Sequence, residues 1–325
     1  MLNRIVFSTA LMLILNSVGW TQPVIELLSN YFNYAIWDAA MSGNYVYVAC
    51  GEKGLKILNV TNLSNPVEIG VCNTPGFARA VKISGNYAYV ADMTGSGIRI
   101  IDVFPPAIPA ETGYCITPGQ CFALEVVGDY IYVADGTKGL QVVNITNPFY
   151  PHIVSNCPLD GDAIGIAVQS QYAYVASYLE GLQVVDVSDP YAPVKIGHCQ
   201  WQNVEDYYPR LSRNVTLEGN YAYVADYGCG LRIIDITDPT NPFTLSYIRQ
   251  NLSNVYDAAV VGNYAYLAQE FGGLRMVNIT NLSNPLLSSG FITGPSVGVT
   301  VQGEIVLLCS VSRLSIFRVY LSDRD

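Results

Sequence analysis

Charged residues, histidines and long apolar runs are all scarce in this chain of 325 residues. Only 13% of the residues are charged and 50% are hydrophobic, which allows a large core and excludes a disordered chain. The formal charge of −10 makes nucleic acid and anionic membrane surfaces unfavourable partners, because both are negatively charged. Only two histidines, His152 and His198, are available as a general base.

The N-terminus carries an apolar run of eleven residues, 5–15, which is too short to span a bilayer. It follows Arg4 and is followed by small and polar residues, a pattern typical of a secretory signal peptide. We therefore predict a signal peptide over residues 1–21, cleaved after Gly19 or Thr21. The protein would then be secreted, periplasmic or at the cell surface, with no integral membrane segment left after cleavage. The alternative is a buried N-terminal strand.

No segment has a helical period, but a Tyr-x-Tyr motif recurs throughout the chain. Its copies begin at Tyr45, Tyr87, Tyr130, Tyr172, Tyr221 and Tyr264, and a weaker seventh copy begins at Ile305. The steps between copies are 42, 43, 42, 49, 43 and 41 residues. Each unit contains four short apolar stretches separated by Gly, Asn and Pro, which indicates hairpin-connected antiparallel strands. Four strands in such a period predict an all-β, seven-bladed β-propeller.

The two ends of the chain predict how the ring closes. After the third strand of the last unit only six residues remain, too few for a fourth strand. Residues 23–28 resemble the fourth strand at 66–71 but have no blade of their own. We infer that this N-terminal strand completes blade seven and removes an open edge. Residues 22–325 would then form a single propeller domain, expected to be monomeric.

Two stretches carry a resemblance to a known family. Gly-Leu-Arg-Ile-Ile-Asp-Ile-Thr-Asp-Pro at 230–239 and Gly-Leu-Gln-Val-Val-Asp-Val-Ser-Asp-Pro at 181–190 each follow Tyr-Ala-Tyr-Val-Ala. They resemble the LVIVD repeat, and the resemblance covers roughly residues 24–319. It implies a β-propeller of the kind found on exported or cell-surface proteins of prokaryotes. The resemblance implies no general activity and supplies no catalytic residues.

The eight cysteines do not predict a disulfide framework. Four of them, Cys72, Cys115, Cys157 and Cys199, follow the tyrosine that opens their unit by 27 or 28 residues. Equivalent positions of a radial array diverge, whereas a disulfide needs Cα atoms within about 7 Å. Only Cys115 and Cys121 are close enough in sequence for a bridge, which the sequence leaves open. Paired Cys-x-x-Cys spacing is absent as well, so neither a metal nor a cofactor is expected.

The sequence contains no coherent catalytic set. Gly-Pro-Ser-Val-Gly at 294–298 fits the pattern of a hydrolase nucleophile elbow, but that elbow needs a helix after the serine, and here a strand is predicted. Asp92, Asp135 and Asp226 each end a Tyr strand, where aspartate usually accepts a hydrogen bond from its own backbone. We therefore assign no catalytic residue.

Positions near the start of each innermost strand are the better functional signal, because they meet the central channel. Counting back from the Gly or its counterpart that ends each inner strand gives Trp37/Asp38, Arg79/Ala80, Phe122/Ala123, Ile164/Gly165, Arg213/Asn214, Tyr256/Asp257 and Val297/Gly298. Seven copies of a purely structural position should be more alike. The candidate ligand-binding residues are therefore Trp37, Asp38, Arg79, Phe122, Arg213, Tyr256 and Asp257. The alternative is ordinary packing of the rim.

One insertion of seven residues falls between the fourth and fifth units, within residues 201–210. This connection crosses the same face as the channel mouth, and aromatic and Arg side chains are common on recognition surfaces. The candidates here are Trp201, Tyr207, Tyr208 and Arg210. Alternatively, this loop folds its aromatic side chains onto the rim.

These observations lead to two hypotheses about function. The first is an exported, non-catalytic binding propeller whose partner is a glycan or a protein. The alternative is a polysaccharide hydrolase or lyase with its site at the channel mouth. What distinguishes them is whether Asp38, Asp257, Arg79 and Arg213 converge within hydrogen-bonding reach. Carboxylates that converge on a water-excluding pocket would favour catalysis, whereas a wide, solvated channel would favour binding or a purely structural role.

Overall fold

The computed structural model describes residues 23–31, 34–93, 95–200, 211–228, 230–249 and 252–321. Within these ranges, 28 strands form seven four-stranded sheets whose neighbouring strands are all antiparallel, and no helix is present. The predicted seven-bladed β-propeller is confirmed. No helix that could cross a membrane is found in this part of the chain. The predicted signal peptide, residues 1–21, lies outside the described residues.

Six blades are built from consecutive strands, each numbered from the channel outward. Blade 1 contains β2 (Asp38–Ser42), β3 (Tyr45–Ala49), β4 (Leu55–Asn59) and β5 (Val67–Cys72). Blade 2 contains β6 (Phe77–Ser84), β7 (Tyr87–Met93), β8 (Gly97–Asp102) and β9 (Ala110–Cys115), and blade 3 contains β10 (Ala123–Val127), β11 (Tyr130–Ala134), β12 (Leu140–Asn144) and β13 (His152–Cys157). Blade 4 contains β14 (Ala163–Gln169), β15 (Tyr172–Ser177), β16 (Gly181–Asp186) and β17 (Val194–Cys199). Blade 5 contains β18 (Leu211–Glu218), β19 (Tyr221–Tyr227), β20 (Gly230–Asp235) and β21 (Phe243–Ile248), and blade 6 contains β22 (Val255–Val261), β23 (Tyr264–Gln269), β24 (Gly273–Asn278) and β25 (Leu286–Phe291).

Blade 7 closes the ring with strands from both ends of the chain. It contains β26 (Ser296–Gln302), β27 (Ile305–Ser310), β28 (Leu314–Tyr320) and, outermost, β1 (Val24–Tyr31). The antiparallel register runs from Val24 opposite Tyr320 to Tyr31 opposite Leu314. Ser315 Oγ donates to Asn30 Oδ1 at 2.7 Å across this pair. The N-terminal strand therefore covers the edge of β28, as the sequence predicts.

The core lies between neighbouring blades. The second and third strands of each blade are buried on both faces, which explains why their sequences are apolar at nearly every position. Between blades 1 and 2, for example, Leu55 and Ile57 of β4 belong to one buried cluster with Ala88 and Val90 of β7. Each blade thus needs its neighbour to bury its apolar faces, as expected of a repeat architecture.

Short polar contacts hold the turns. Asp102, Asp186 and Asp235 each accept a hydrogen bond from the backbone N–H two residues later, which is the usual turn role of aspartate. Asp92 and Asp135 have partners that the sequence does not predict. Each accepts from a threonine hydroxyl and a glycine N–H of the preceding loop. The reason is that both carboxylates are fully buried, where they face the loop that enters their blade.

Seven cysteines fall in the described ranges, and all seven are free thiols. Cys72, Cys115, Cys157 and Cys199 end the outermost strands of four successive blades, as their spacing predicts. Cys115 and Cys121 lie in the same core cluster but are not bridged.

Candidate ligand-binding site

The seven innermost strands surround a central cavity of about 710 Å³. The side chains near the start of each inner strand line one end of it, here called the channel mouth. We define the mouth ring as Trp37, Arg79, Phe122, Ile164, Arg213, Tyr256 and Val297. Asp38 and Asp257 line the same cavity. The structure thus brings together all seven candidate residues that the sequence places at the mouth.

Backbone irregularities determine where the mouth ring sits. In five inner strands the pairing with the second strand skips one residue, and the skipped residues are Arg79, Ile164, Arg213, Tyr256 and Val297. A β-bulge of this kind bends the strand and re-aims a side chain. The two other members, Trp37 and Phe122, directly precede β2 and β10. Every member of the mouth ring is therefore either a bulged residue or a residue just outside the strand, and none is paired in the regular sheet register.

Arg213 is surrounded by three tyrosine rings. Its Cζ atom lies 5.2 Å from the ring centroids of Tyr178 and Tyr227 and 5.5 Å from that of Tyr256. Tyr227 and Tyr256 also contact each other edge to face at 5.4 Å. Cation–π attraction of this kind holds a guanidinium without engaging its N–H donors. Arg213 Nε is buried with no hydrogen-bond partner among the described residues.

Arg79 is held in a similar way on the other side of the mouth. Its Cζ atom lies 5.3 Å from the ring centroid of Trp37, and Trp37 contacts Phe77 edge to face at 5.3 Å. Burial lowers the pKa of Arg79; Asp38 and Asp257 oppose this effect, and the nearby charge of Arg213 adds to it. Two guanidinium groups therefore share the mouth closely enough to repel each other.

Asp38 joins blade 1 to blade 2. Its Oδ1 accepts from the N–H of Ala39 at 2.8 Å, and its Oδ2 accepts from the N–H of Val81 in the next inner strand at 2.9 Å. Burial raises the pKa of Asp38, and these hydrogen bonds and the charges of Lys82 and Arg79 limit the rise. Both oxygens thus have backbone partners.

Asp257 joins blade 6 to blade 7 by the same geometry. Its Oδ1 accepts from the N–H of Ala258 and from Asn214 Nδ2, and its Oδ2 accepts from the N–H of Val299 at 2.8 Å. The carboxyl group is 7% exposed. Burial raises the pKa of Asp257 to about 6, and the charge of Asp38 adds to the rise. Asn214 thus ties blade 5 to blade 6 through this carboxylate.

At two of the remaining blade junctions, a glycine allows the neighbouring inner strands to approach closely. A Cβ atom on Gly165 would lie 2.7 Å from the Cα atom of Asn214, and one on Gly298 would lie 2.7 Å from the carbonyl oxygen of Trp37. The inner strands approach each other too closely there for any side chain. The two glycines of the predicted ring therefore have a packing cause.

Sequence reasoning missed several residues of the site. Tyr178 directly follows β15 of blade 4 and Tyr227 is the last residue of β19 of blade 5. The equivalent residues of blades 1 and 3 are Gly51 and Gly136. This variation at an equivalent position was the available signal. Lys82 and Glu125, which form an ion pair of 2.8 Å between blades 2 and 3, were also missed. In the other blades, the residue at this channel-facing position is small or uncharged.

The candidates of the insertion, Trp201, Tyr207, Tyr208 and Arg210, lie outside the described residues. No group of three or more His, Cys, Asp or Glu residues suited to a metal ion occurs in the described part of the chain.

Comparison with known proteins supports the repeat assignment and the fold. The family model of the LVIVD repeat matches residues 35–74, 75–117, 118–158, 160–200, 209–247 and 254–293. A search of curated proteins gives no match. The chain is similar to the crystal structure of the computationally designed Ika8 protein, with a TM-score of 0.65 and 11% identity over 92% of this chain and 100% of that one. It is also similar to BamB from Moraxella catarrhalis, with a TM-score of 0.60 and 13% identity over 90% of this chain and 85% of that one. At these identities the likeness concerns the fold alone.

Proposed function

This chain belongs to the LVIVD-repeat family, and from that premise we propose that it is a non-catalytic binding propeller that takes a glycan at its channel mouth. The observation that carries the proposal is the mouth ring, where Trp37, Arg79, Phe122, Arg213 and Tyr256 surround one cavity. Aromatic and Arg side chains supply large contact areas together with polar groups that orient a ligand.

The shape of the site favours a glycan over a folded protein. Ligand pockets have volumes of roughly 300–1,000 Å³ and combine apolar walls with a few polar groups. The cavity of about 710 Å³ falls in this range. A folded protein partner would instead need a surface of about 800 Å² on each side. A concave mouth suits a chain end or a short saccharide better than a broad protein surface.

The carboxylates argue for binding rather than catalysis. A glycoside hydrolase needs one carboxyl group as acid and another as base or nucleophile. At this mouth both oxygens of Asp38 and both oxygens of Asp257 accept backbone N–H groups. Using either carboxyl group in catalysis would break a junction between blades. The hydrolase or lyase alternative is therefore the weaker one.

The proposal includes export and a single domain. The signal peptide at residues 1–21 would place a monomeric propeller of residues 22–325 outside the cytoplasm, where it would be secreted, periplasmic or at the cell surface. A glycan ligand is consistent with that location.

The proposal is tested by screening the chain without residues 1–21 on glycan arrays and surface-protein arrays. Two variants accompany it: Phe122→Ala with Tyr256→Ala, and a fourfold alanine variant of Trp201, Tyr207, Tyr208 and Arg210. We expect glycan binding by the parent and at least about tenfold weaker binding by the first variant, because each aromatic contact contributes around 1 kcal/mol. Loss of glycan binding in the fourfold variant would show that the site includes the insertion.

The matched control is Val127→Ala. Val127 lies on the inner strand β10, at the end opposite the mouth and outside the cavity lining, and is 40% exposed. This control should bind like the parent and melt at a similar temperature. The proposal would be contradicted if the parent bound only proteins on the arrays, or if the variant with Phe122→Ala and Tyr256→Ala bound glycans as tightly as the parent.

A further inference from the structure

Among the described residues, no hydrogen bond engages the N–H donors of the two arginines at the mouth. Arg79 and Arg213 both line the central cavity, and each guanidinium contacts aromatic faces. Lys82 and Arg232, by contrast, have carboxylate partners: Lys82 pairs with Glu125 at 2.8 Å, and Arg232 pairs with Asp226 at 3.1 Å. Among the described residues, no hydrogen bond joins Arg79 or Arg213 to a carboxylate.

This difference matters because two like charges in one half-buried site repel each other. Burying a charge is costly unless it is paired. The charges of Asp38 and Asp257 offset part of this repulsion, but the oxygens of both carboxylates are hydrogen-bonded to the backbone at the blade junctions and not to the arginines. Aromatic faces offset part of the cost and also fix the planes of the guanidinium groups. The arrangement is therefore suited to an anion supplied from outside.

The surrounding charge and the geometry of the donors limit what this anion can be. Asp38 and Asp257 line the same cavity, so a second negative charge on the ligand is repelled by two carboxylates as well as attracted by two arginines, and it brings no net electrostatic gain. A planar carboxylate also matches the guanidinium fork, which can bind it through two parallel hydrogen bonds. The aromatic members of the mouth ring favour a carboxylate carried on a larger body with apolar faces.

We propose that Arg79 and Arg213 bind the carboxylate of an acidic sugar, a uronic acid, at the channel mouth. This inference rests on the proposed function and names the chemical class of its glycan. Arg79 and Arg213 donate to the carboxylate, and the aromatic side chains of the mouth ring contact the sugar ring.

The probe is D-glucuronate, titrated into the chain without residues 1–21 and followed by tryptophan fluorescence. Trp37 and Trp201 are the only tryptophans left in that chain, and Trp37 contacts Arg79 directly. A Trp201→Phe background therefore makes Trp37 the single reporter. Ionic strength is held constant with sodium chloride, because screening alters exposed charge interactions. Methyl glucoside is the neutral comparison and inorganic phosphate the anionic one.

We expect a saturable response to glucuronate, with little response to methyl glucoside or phosphate. Arg79→Gln and Arg213→Gln should each weaken binding at least about tenfold, since a hydrogen bond to a charged group contributes about 1.5–3 kcal/mol. Arg213→Lys keeps the charge but loses the planar fork, so it should also bind more weakly while melting like the parent.

Lys53→Gln is the matched control for charge. Lys53 is exposed in the turn between β3 and β4, at the same end of the propeller but outside the cavity lining. Its removal should leave glucuronate binding unchanged. Equal weakening by Lys53→Gln, or equal binding of phosphate or methyl glucoside, would overturn the carboxylate inference.

The two proposals fail in different ways. A neutral glycan found on the array, with binding lost in the Phe122 and Tyr256 variant but kept in Arg79→Gln, refutes the carboxylate inference and leaves the binding function intact. A silent glycan array with no response to glucuronate refutes both.

Discussion

Arg213 and Asp257 show two different solutions for a buried charge at the channel mouth. Asp257 accepts N–H groups of the backbone and of Asn214, so its charge serves to join blades 5, 6 and 7. Arg213 rests on tyrosine faces, which leave its donors available. The carboxylates are thus structural in their contacts, and the arginines are the side chains available to a ligand.

The raised pKa of Asp257 predicts a pH effect on stability. Its pKa is about 6 in the folded chain against 3.8 for an ordinary Asp, so the native state favours the protonated form. This stabilisation is present below the ordinary value and is lost as the pH rises through about 6. The free energy of unfolding of the parent should therefore fall by about 2–3 kcal/mol between pH 4 and 7 relative to Asp257→Asn, which cannot ionise.

Denaturant unfolding of both proteins at several pH values measures this gap. Asp186→Asn is the control, because hydrogen bonds from Ser188 shift the pKa of Asp186 in the opposite direction, downward. The parent should not lose stability relative to Asp186→Asn as the pH rises. A gap for Asp257→Asn that stays constant or widens with rising pH would contradict the predicted effect.

At the scale of elements, the strand β1 closes the ring. It supplies the outer edge of blade 7, and its Ile25 and Leu27 pack against a cluster that includes Phe317 and Val319. Without it, β28 would present unpaired backbone groups and an uncovered apolar surface.

Deleting residues 22–29 should therefore cause aggregation or a large loss of stability. The measurement is thermal melting with light scattering, compared with the chain that lacks only residues 1–21. A synthetic peptide of residues 23–31 added to the shortened chain should restore part of the stability, and a scrambled peptide should not. If the shortened chain melts like its parent, β1 does not close the ring.

The strands were predictable from the sequence because their signals are local. The Tyr strands and the third strands are short, nearly continuous apolar runs, and Gly, Asn and Pro mark their ends. The bulges at Arg79 and Arg213 were only indirectly visible, through counting back along each inner strand. The tyrosines around Arg213 come from three different strands or their ends, so only the folded ring shows that they meet. The backbone partners of Asp38 and Asp257 lie in neighbouring blades and leave no local pattern.

At the scale of the whole molecule, the radial arrangement separates positions that the repeat makes equivalent. Cys72, Cys115, Cys157 and Cys199 end the outer strands of four different blades, and each outer strand faces away from the channel. An oxidising compartment alone does not pair such thiols, because disulfide geometry requires their Cα atoms to be close together.

We therefore expect at least six of the eight cysteines to be free, even if the protein is exported. Burial supports this expectation, since it raises the pKa of Cys50 to about 12 and that of Cys309 well above the ordinary value. The thiolate is the form that attacks a disulfide, so such thiols exchange slowly in the folded protein.

Alkylation at purification, followed by denaturation and mass spectrometry of the modified peptides, counts the free thiols and locates any bridge. A single bridge between Cys115 and Cys121 would be compatible with the ring, because both lie in one cluster. Three or four disulfides would require contacts between separate blades and would refute the radial placement of these residues.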